Sequence, residues 1–121
     1  MNDRSNVLIA EDDASIRGLL ATILQRSGFD VELAVDGCQA VEKLSEQPYD
    51  VVLLDLTMPL LDGTEVINFL LRTDPERIRH TIVISARPAG TLQEMSQICR
   101  VMAKPFDLYE LVGAVRDCAA A

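Results

Sequence analysis

The sequence predicts a doubly wound α/β domain, and three observations carry that prediction. Short strand-like runs alternate with segments of helical period along the chain. One run, Val51-Val52-Leu53-Leu54, is apolar at every position, as a central parallel strand covered by helices on both faces must be. Two runs end on acids: Val7-Leu8-Ile9-Ala10 on Glu11-Asp12-Asp13, and Val51 to Leu54 on Asp55. In a parallel sheet the C-terminal strand ends line one rim, where ligands bind, so these acids meet although they lie far apart in sequence. Like charges crowded on a rim repel, and a divalent cation is the simplest remedy. A phosphate-handling, magnesium-dependent site is therefore the first expectation.

The elements follow in order. After the first strand, Asp13 is placed to cap a helix along which Ile16, Leu19, Leu20, Ile23 and Leu24 recur at helical spacing, and Gly28 is its stop. Val31, Leu33 and Val35 alternate as a second strand does, and Asp36-Gly37 opens a helix with Ala40, Val41 and Leu44 on its apolar face and Pro48 beyond its end. After the third strand, Met58-Pro59 and Asp62-Gly63 mark a loop, Val66, Ile67, Leu70 and Leu71 face a third helix inward, and Asp74-Pro75 closes it. Thr81-Ile82-Val83-Ile84 is β-branched throughout and forms strand four, followed by a loop from Ser85 to Gly90. A short helix from about Thr91 to Ile98, a strand at Val101 to Ala103 and a last helix from about Phe106 to Cys118 complete the chain. Five strands alternating with five helices, joined by right-handed crossovers, give a flavodoxin-like (βα)5 three-layer sandwich of strand order 2-1-3-4-5. Its switch point lies between strands one and three, where Asp12 and Asp55 face each other.

Composition narrows the function. The 121 residues fit one domain, nearly half apolar and a quarter charged, as in an ordinary soluble globular protein. The N-terminal residues lack a signal-peptide core and no apolar run approaches membrane-spanning length, so a cytoplasmic location is expected. The formal charge of −8 argues against a nucleic-acid surface and suits cations and basic partner patches. Cys38, Cys99 and Cys118 are odd in number and fit no paired metal-ligand spacing, which makes structural zinc improbable. They are expected to pack as small hydrophobes, and His80 to lie on the surface before strand four.

Four strand ends carry polar groups on one rim: Glu11 and Asp12, Asp55, Ser85 and Lys104. With Met58-Pro59 and Lys104-Pro105, this set resembles the receiver domain of two-component response regulators, over essentially residues 1–121 as a single domain. The resemblance implies that Asp55 accepts a phosphoryl group from the phosphohistidine of a sensor histidine kinase or phosphotransfer protein, or from a small donor such as acetyl phosphate. It implies a magnesium ion held by Asp12 directly, Glu11 through water, Asp55, and the backbone carbonyl of Thr57. Asp13 keeps its role as helix cap. Lys104 holds a phosphoryl oxygen and pairs with Asp55 in the unmodified protein, Ser85 donates a hydrogen bond to another oxygen, small Ala86 leaves room, and the Lys104–Pro105 bond is cis. Thr57 and Arg87 flank the site, where they either modulate water access or serve as surface residues. Such a domain is not a turnover enzyme: it assists only its own phosphorylation and dephosphorylation. It is a monomer or weak homodimer and passes its signal to an output domain or effector protein.

Two features depart from the family pattern. Val101 stands where an aromatic usually rotates inward three residues before the strand-five lysine, and a β-branched aliphatic has no comparable swing. The segment from Ser85 to Lys104 is also shorter than usual by about one helical turn. Retained chemistry with atypical output is therefore expected; the alternative is an adaptor that works by binding, independently of phosphorylation. A haloacid-dehalogenase-type phosphatase wants an acid where Thr57 stands, and a flavin site wants backbone donors where Glu11-Asp12-Asp13 would repel a phosphate.

Overall fold

The computed structural model describes residues 4–58, 60, 62–85 and 97–121. Five parallel strands, β1 (Asn6–Ala10), β2 (Asp30–Ala34), β3 (Val51–Asp55), β4 (Thr81–Ser85) and β5 (Arg100–Ala103), form one sheet in the order β2-β1-β3-β4-β5. Among the described residues four α-helices flank it: α1 (Ala14–Arg26), α2 (Gly37–Glu46), α3 (Gly63–Thr73) and α4 (Leu108–Ala120). The expected architecture and strand order are those observed.

Each helix starts behind an aspartate. The carboxylates of Asp13, Asp36, Asp62 and Asp107 each accept backbone N–H groups of the first turn, satisfying donors that no preceding carbonyl can reach. Gly28, at φ +100°, ends α1 in the left-handed region, as its place in the sequence implied.

Strand alternation divides the core into two layers. Val7, Ile9, Leu53, Ile82 and Ile84 pack with α1 and α4, while Leu8, Ala10, Val52, Leu54 and Val83 pack with α2 and α3. β3 is buried at all five positions, Asp55 included. Val7 to Ala10 of β1 pair in register with Val51 to Leu54 of β3, so Glu11 and Asp55 follow from adjacent strand ends.

Several expectations need correction. Leu33 and Val35 do not complete a buried β2 face: each is 38% exposed, because β2 is an edge strand and the helices cover only its start and its last residue. Pro75–His80 forms a 3₁₀ helix that the turn signal at Asp74-Pro75 did not announce; it buries Ile78 against α3 and β3. His80 is half-buried, its Nδ1 2.7 Å from the Cys118 carbonyl oxygen. The last helix starts at Leu108, behind its Asp107 cap, rather than at Phe106. Cys99 and Cys118 form a disulfide instead of packing separately, since the layer arrangement brings the residue before β5 against the last turn of α4. Cys38 is free and exposed. The loop from Ser85 to Gly90 and the helix from about Thr91 fall, beyond Ser85, on residues outside those described, as do Pro59, Ala86 and Arg87; the described Gln97 and Ile98 are not α-helical.

Candidate functional site

The C-terminal rim of the sheet brings together residues up to 93 positions apart. Asp55 ends β3 at 3% exposure, and Glu11, the residue after β1, is 1% exposed. Asp12 is exposed beside them. Carboxylate oxygens of Glu11, Asp12 and Asp55 all lie within 4.8 Å of one another. From the far side Lys104, just beyond β5, places Nζ 3.2 Å from Asp55 Oδ2 and 3.4 Å from Glu11 Oε1. The other Asp55 oxygen, Oδ1, accepts the backbone N–H of Thr57 at 3.0 Å, so both oxygens of the carboxylate are held.

Ser85, buried at the end of β4, accepts the Lys104 N–H on its carbonyl at 2.9 Å, which ties the two neighbouring strand ends together. The Lys104–Pro105 bond is cis, as the resemblance implied. Asp13 is the α1 cap, its Oδ1 accepting the N–H groups of Ser15 and Ile16.

Two residues important to this geometry were given no role in the site from sequence. Arg17 of α1 donates from Nη1 to the carbonyl oxygens of Glu11 and Asp12 at 2.9 and 3.2 Å. Gly63 closes the β3–α3 connection, its N–H donating to the Leu56 carbonyl at 3.0 Å. A Cβ there would sit 2.6 Å from both the Asp55 carbonyl oxygen and the Leu56 Cα, a separation real atoms do not tolerate. The available signal was a glycine at the first position of a helix, where a stronger helix former would ordinarily serve.

Crowding shifts the titrations. Glu11 is pushed up from its ordinary 4.5 to about 7, first by burial, then by the close approach of the Asp55 carboxylate and its charge; the Asp13 N–H and Lys104 oppose the shift. Burial lowers the Lys104 ammonium, but attraction to the Asp55 and then the Glu11 carboxylate, with the hydrogen bond to Asp55, outweighs it and leaves its pKa raised. Lys104 is close enough to Glu11 for an ion pair but not aligned for a hydrogen bond, and Glu11 Oε1 is buried without a hydrogen-bond partner among the described residues. Hard oxygen donors converging from three carboxylates, one of them with a buried oxygen that accepts no hydrogen bond among the described residues, fit a divalent cation such as magnesium.

Fold and site together define a class: doubly wound α/β proteins with an acidic cleft at the sheet's switch point. A family model described as the response regulator receiver domain matches residues 7–116. The chain belongs to that family, the receiver domains of two-component systems. It is 31% identical to the response regulator receiver protein CpdR of Brucella abortus, over 90% of this chain and 92% of that protein. It is 32% identical to sporulation initiation phosphotransferase F of Bacillus subtilis, over 96% and 93% of the two. Among solved structures it resembles the response regulator TrrA of Thermotoga maritima in complex with Mg(2+)-BeF, with a TM-score of 0.84 at 26% identity, covering 94% of this chain and 98% of the other.

Proposed function

We propose that this chain is a phosphoacceptor: Asp55 receives a phosphoryl group from the phosphohistidine of a histidine kinase or phosphotransfer protein. One observation carries the reading, the meeting of Glu11, Asp12 and Asp55 oxygens within 4.8 Å, with Lys104 Nζ 3.2 Å from Asp55. An Asp55 oxygen attacks phosphorus, the P–N bond of the donor breaks, and its electron pair leaves with the imidazole; the product is an acyl phosphate. A bound magnesium ion would neutralise the transferring oxygens, held by Asp12 and Asp55, by Glu11 through water and by the Thr57 carbonyl.

The chain's own groups do the rest. Lys104 already lies between Glu11 and Asp55, so it is placed to take up charge on the transferred group. The Thr57 N–H fixes the rotation of the Asp55 carboxylate. Ser85, at the next strand end, supplies a hydroxyl to a phosphoryl oxygen. A groove lined by Ile16, Leu19, Leu20, Pro105 and Phe106 opens beside Lys104, and the 52% exposure of Leu19 gives a protein donor an apolar foothold there.

The domain performs no turnover on outside substrates. Val101 is half-buried against the α2 and α3 core layer, without the reach of an aromatic, and output is accordingly atypical. Among the described residues no helix is long and apolar enough to cross a membrane; the place of work we propose is the cytoplasm. Thiols are kept reduced in that compartment, so Cys99 and Cys118 would stand there as a dithiol.

Incubation with acetyl phosphate and magnesium should add one phosphoryl group by mass to wild type and none to Asp55→Asn. No addition, or equal addition to both, would overturn the reading.

A further inference from the structure

The β1–α1 loop carries two of the clustered carboxylates, and the backbone beneath them is held by a residue that contributes none. Arg17 lies half-buried one turn into α1. Its Nη1 donates to the carbonyl oxygens of both Glu11 and Asp12, at 2.9 and 3.2 Å. A guanidinium is planar and rigid, so a single nitrogen engaged by two successive carbonyls fixes the orientation of both peptide planes. Fixing those planes fixes the directions in which the Glu11 and Asp12 side chains leave the chain.

The remaining bonds of the loop complete the brace. Glu11 Oε2 accepts the Asp13 N–H at 3.2 Å, and Asp13 is itself fastened to the first turn of α1. The Asp12 carboxylate takes no part: it has no side-chain partner among the described residues and is exposed, within 4.8 Å of the Glu11 and Asp55 oxygens. The loop is thus rigid in its backbone and uncommitted in the side chain best placed to reach an ion.

We propose that Arg17 is a positioning residue of the metal site, preorganising Glu11 and Asp12 for magnesium by locking their carbonyls. The proposal rests on the reading that the acidic cluster takes magnesium. Two physical effects of Arg17 have opposite signs. As a cation beside a cation site it repels the ion, so removing its charge would tighten binding. As a brace it spares the ion the work of ordering the loop, so removing it weakens binding. The paired carbonyl contacts make the second effect the larger.

Magnesium affinity, measured by isothermal titration calorimetry on the metal-free full chain, separates the two. Wild type, Arg17→Gln and Arg17→Lys are compared, with urea unfolding confirming that each is folded. Arg17→Gln should weaken magnesium binding about tenfold. Arg17→Lys, which keeps the charge without the planar fork, should also bind more weakly than wild type, and it carries the test should Arg17→Gln not fold. Equal or tighter binding by Arg17→Gln, or wild-type affinity in Arg17→Lys, overturns the inference and leaves the metal reading standing. Absence of magnesium binding in wild type overturns both.

Discussion

Glu11 concentrates the electrostatic problem of the site in one side chain. Folding moves it from an ordinary pKa of 4.5 to about 7, mainly by burial, so the folded state holds its proton more tightly than the unfolded chain does. Its contribution to stability is therefore fully present below about pH 4.5 and is lost as pH rises through about 7. The full shift corresponds to about 3 kcal/mol. Metal-free wild type should lose that much relative to Glu11→Gln between those limits, read from urea unfolding across pH; parallel stability curves would refute it. A magnesium ion held by these carboxylates would compete with the same proton, so its affinity should climb over the same window and its binding should release protons, visible by calorimetry in buffers of different ionisation enthalpy. At this scale the carboxylates were legible because an apolar strand has no reason to end on a charge without a partner, as Val51 to Asp55 does. Arg17 was not, because its partners are carbonyls, which every residue has and whose directions only the folded loop sets.

Elements were legible where period and punctuation agreed. The Asp13 cap, the Gly28 stop and the uniform burial of β3 follow from local sequence. What depended on neighbouring elements was not legible. Leu33 has the alternation of a buried strand residue, yet its exposure is decided by the edge position of β2. Gly63 reads as turn punctuation, yet the decisive fact is the approach of the Asp55 and Leu56 backbone. Gly63→Ala should cost about 1–3 kcal/mol in thermal or urea unfolding, since backbone atoms cannot swing aside as a side chain can. It should also weaken magnesium binding by displacing the end of β3; unchanged stability and affinity would show the loop to be compliant. The Cys99–Cys118 pair was hidden for the same reason: a separation of 19 residues says nothing until β5 and α4 are adjacent. Beside it, Arg100 pairs with Asp117 and His80 meets the Cys118 carbonyl, so three links fasten the end of α4. A bridge closing a loop of this length restricts the unfolded chain by about 3 kcal/mol. Reduction should lower the urea midpoint of wild type correspondingly and leave a Cys99→Ala/Cys118→Ala double variant unmoved; equal midpoints for wild type with and without reductant would refute the contribution.

For the whole molecule, the topology that makes the site also makes it unstable when empty. Parallel strands in the order β2-β1-β3-β4-β5 deliver their C-terminal ends to one rim, so acids that the sequence spreads from Glu11 to Asp55 converge in a chain already carrying −8. Lys104 offsets part of that repulsion, being within 3.4 Å of both Glu11 and Asp55. A cation that binds only where the rim is assembled must then stabilise the fold as a unit. At a hundredfold excess over its dissociation constant it would contribute about 2.7 kcal/mol. For a chain of this length that raises the melting temperature on the order of 10 °C. Sodium chloride at matched ionic strength screens the net charge but cannot bridge carboxylates, so its effect should be much smaller. Asp12→Asn and Asp55→Asn should remove the difference between the two salts, and Asp55→Asn should melt higher than wild type without metal because one of the crowded charges is gone. Equal stabilisation of wild type by magnesium chloride and sodium chloride would show that the rim tolerates its charge unaided, leaving the convergence of Glu11, Asp12 and Asp55 without a bound ion to explain it.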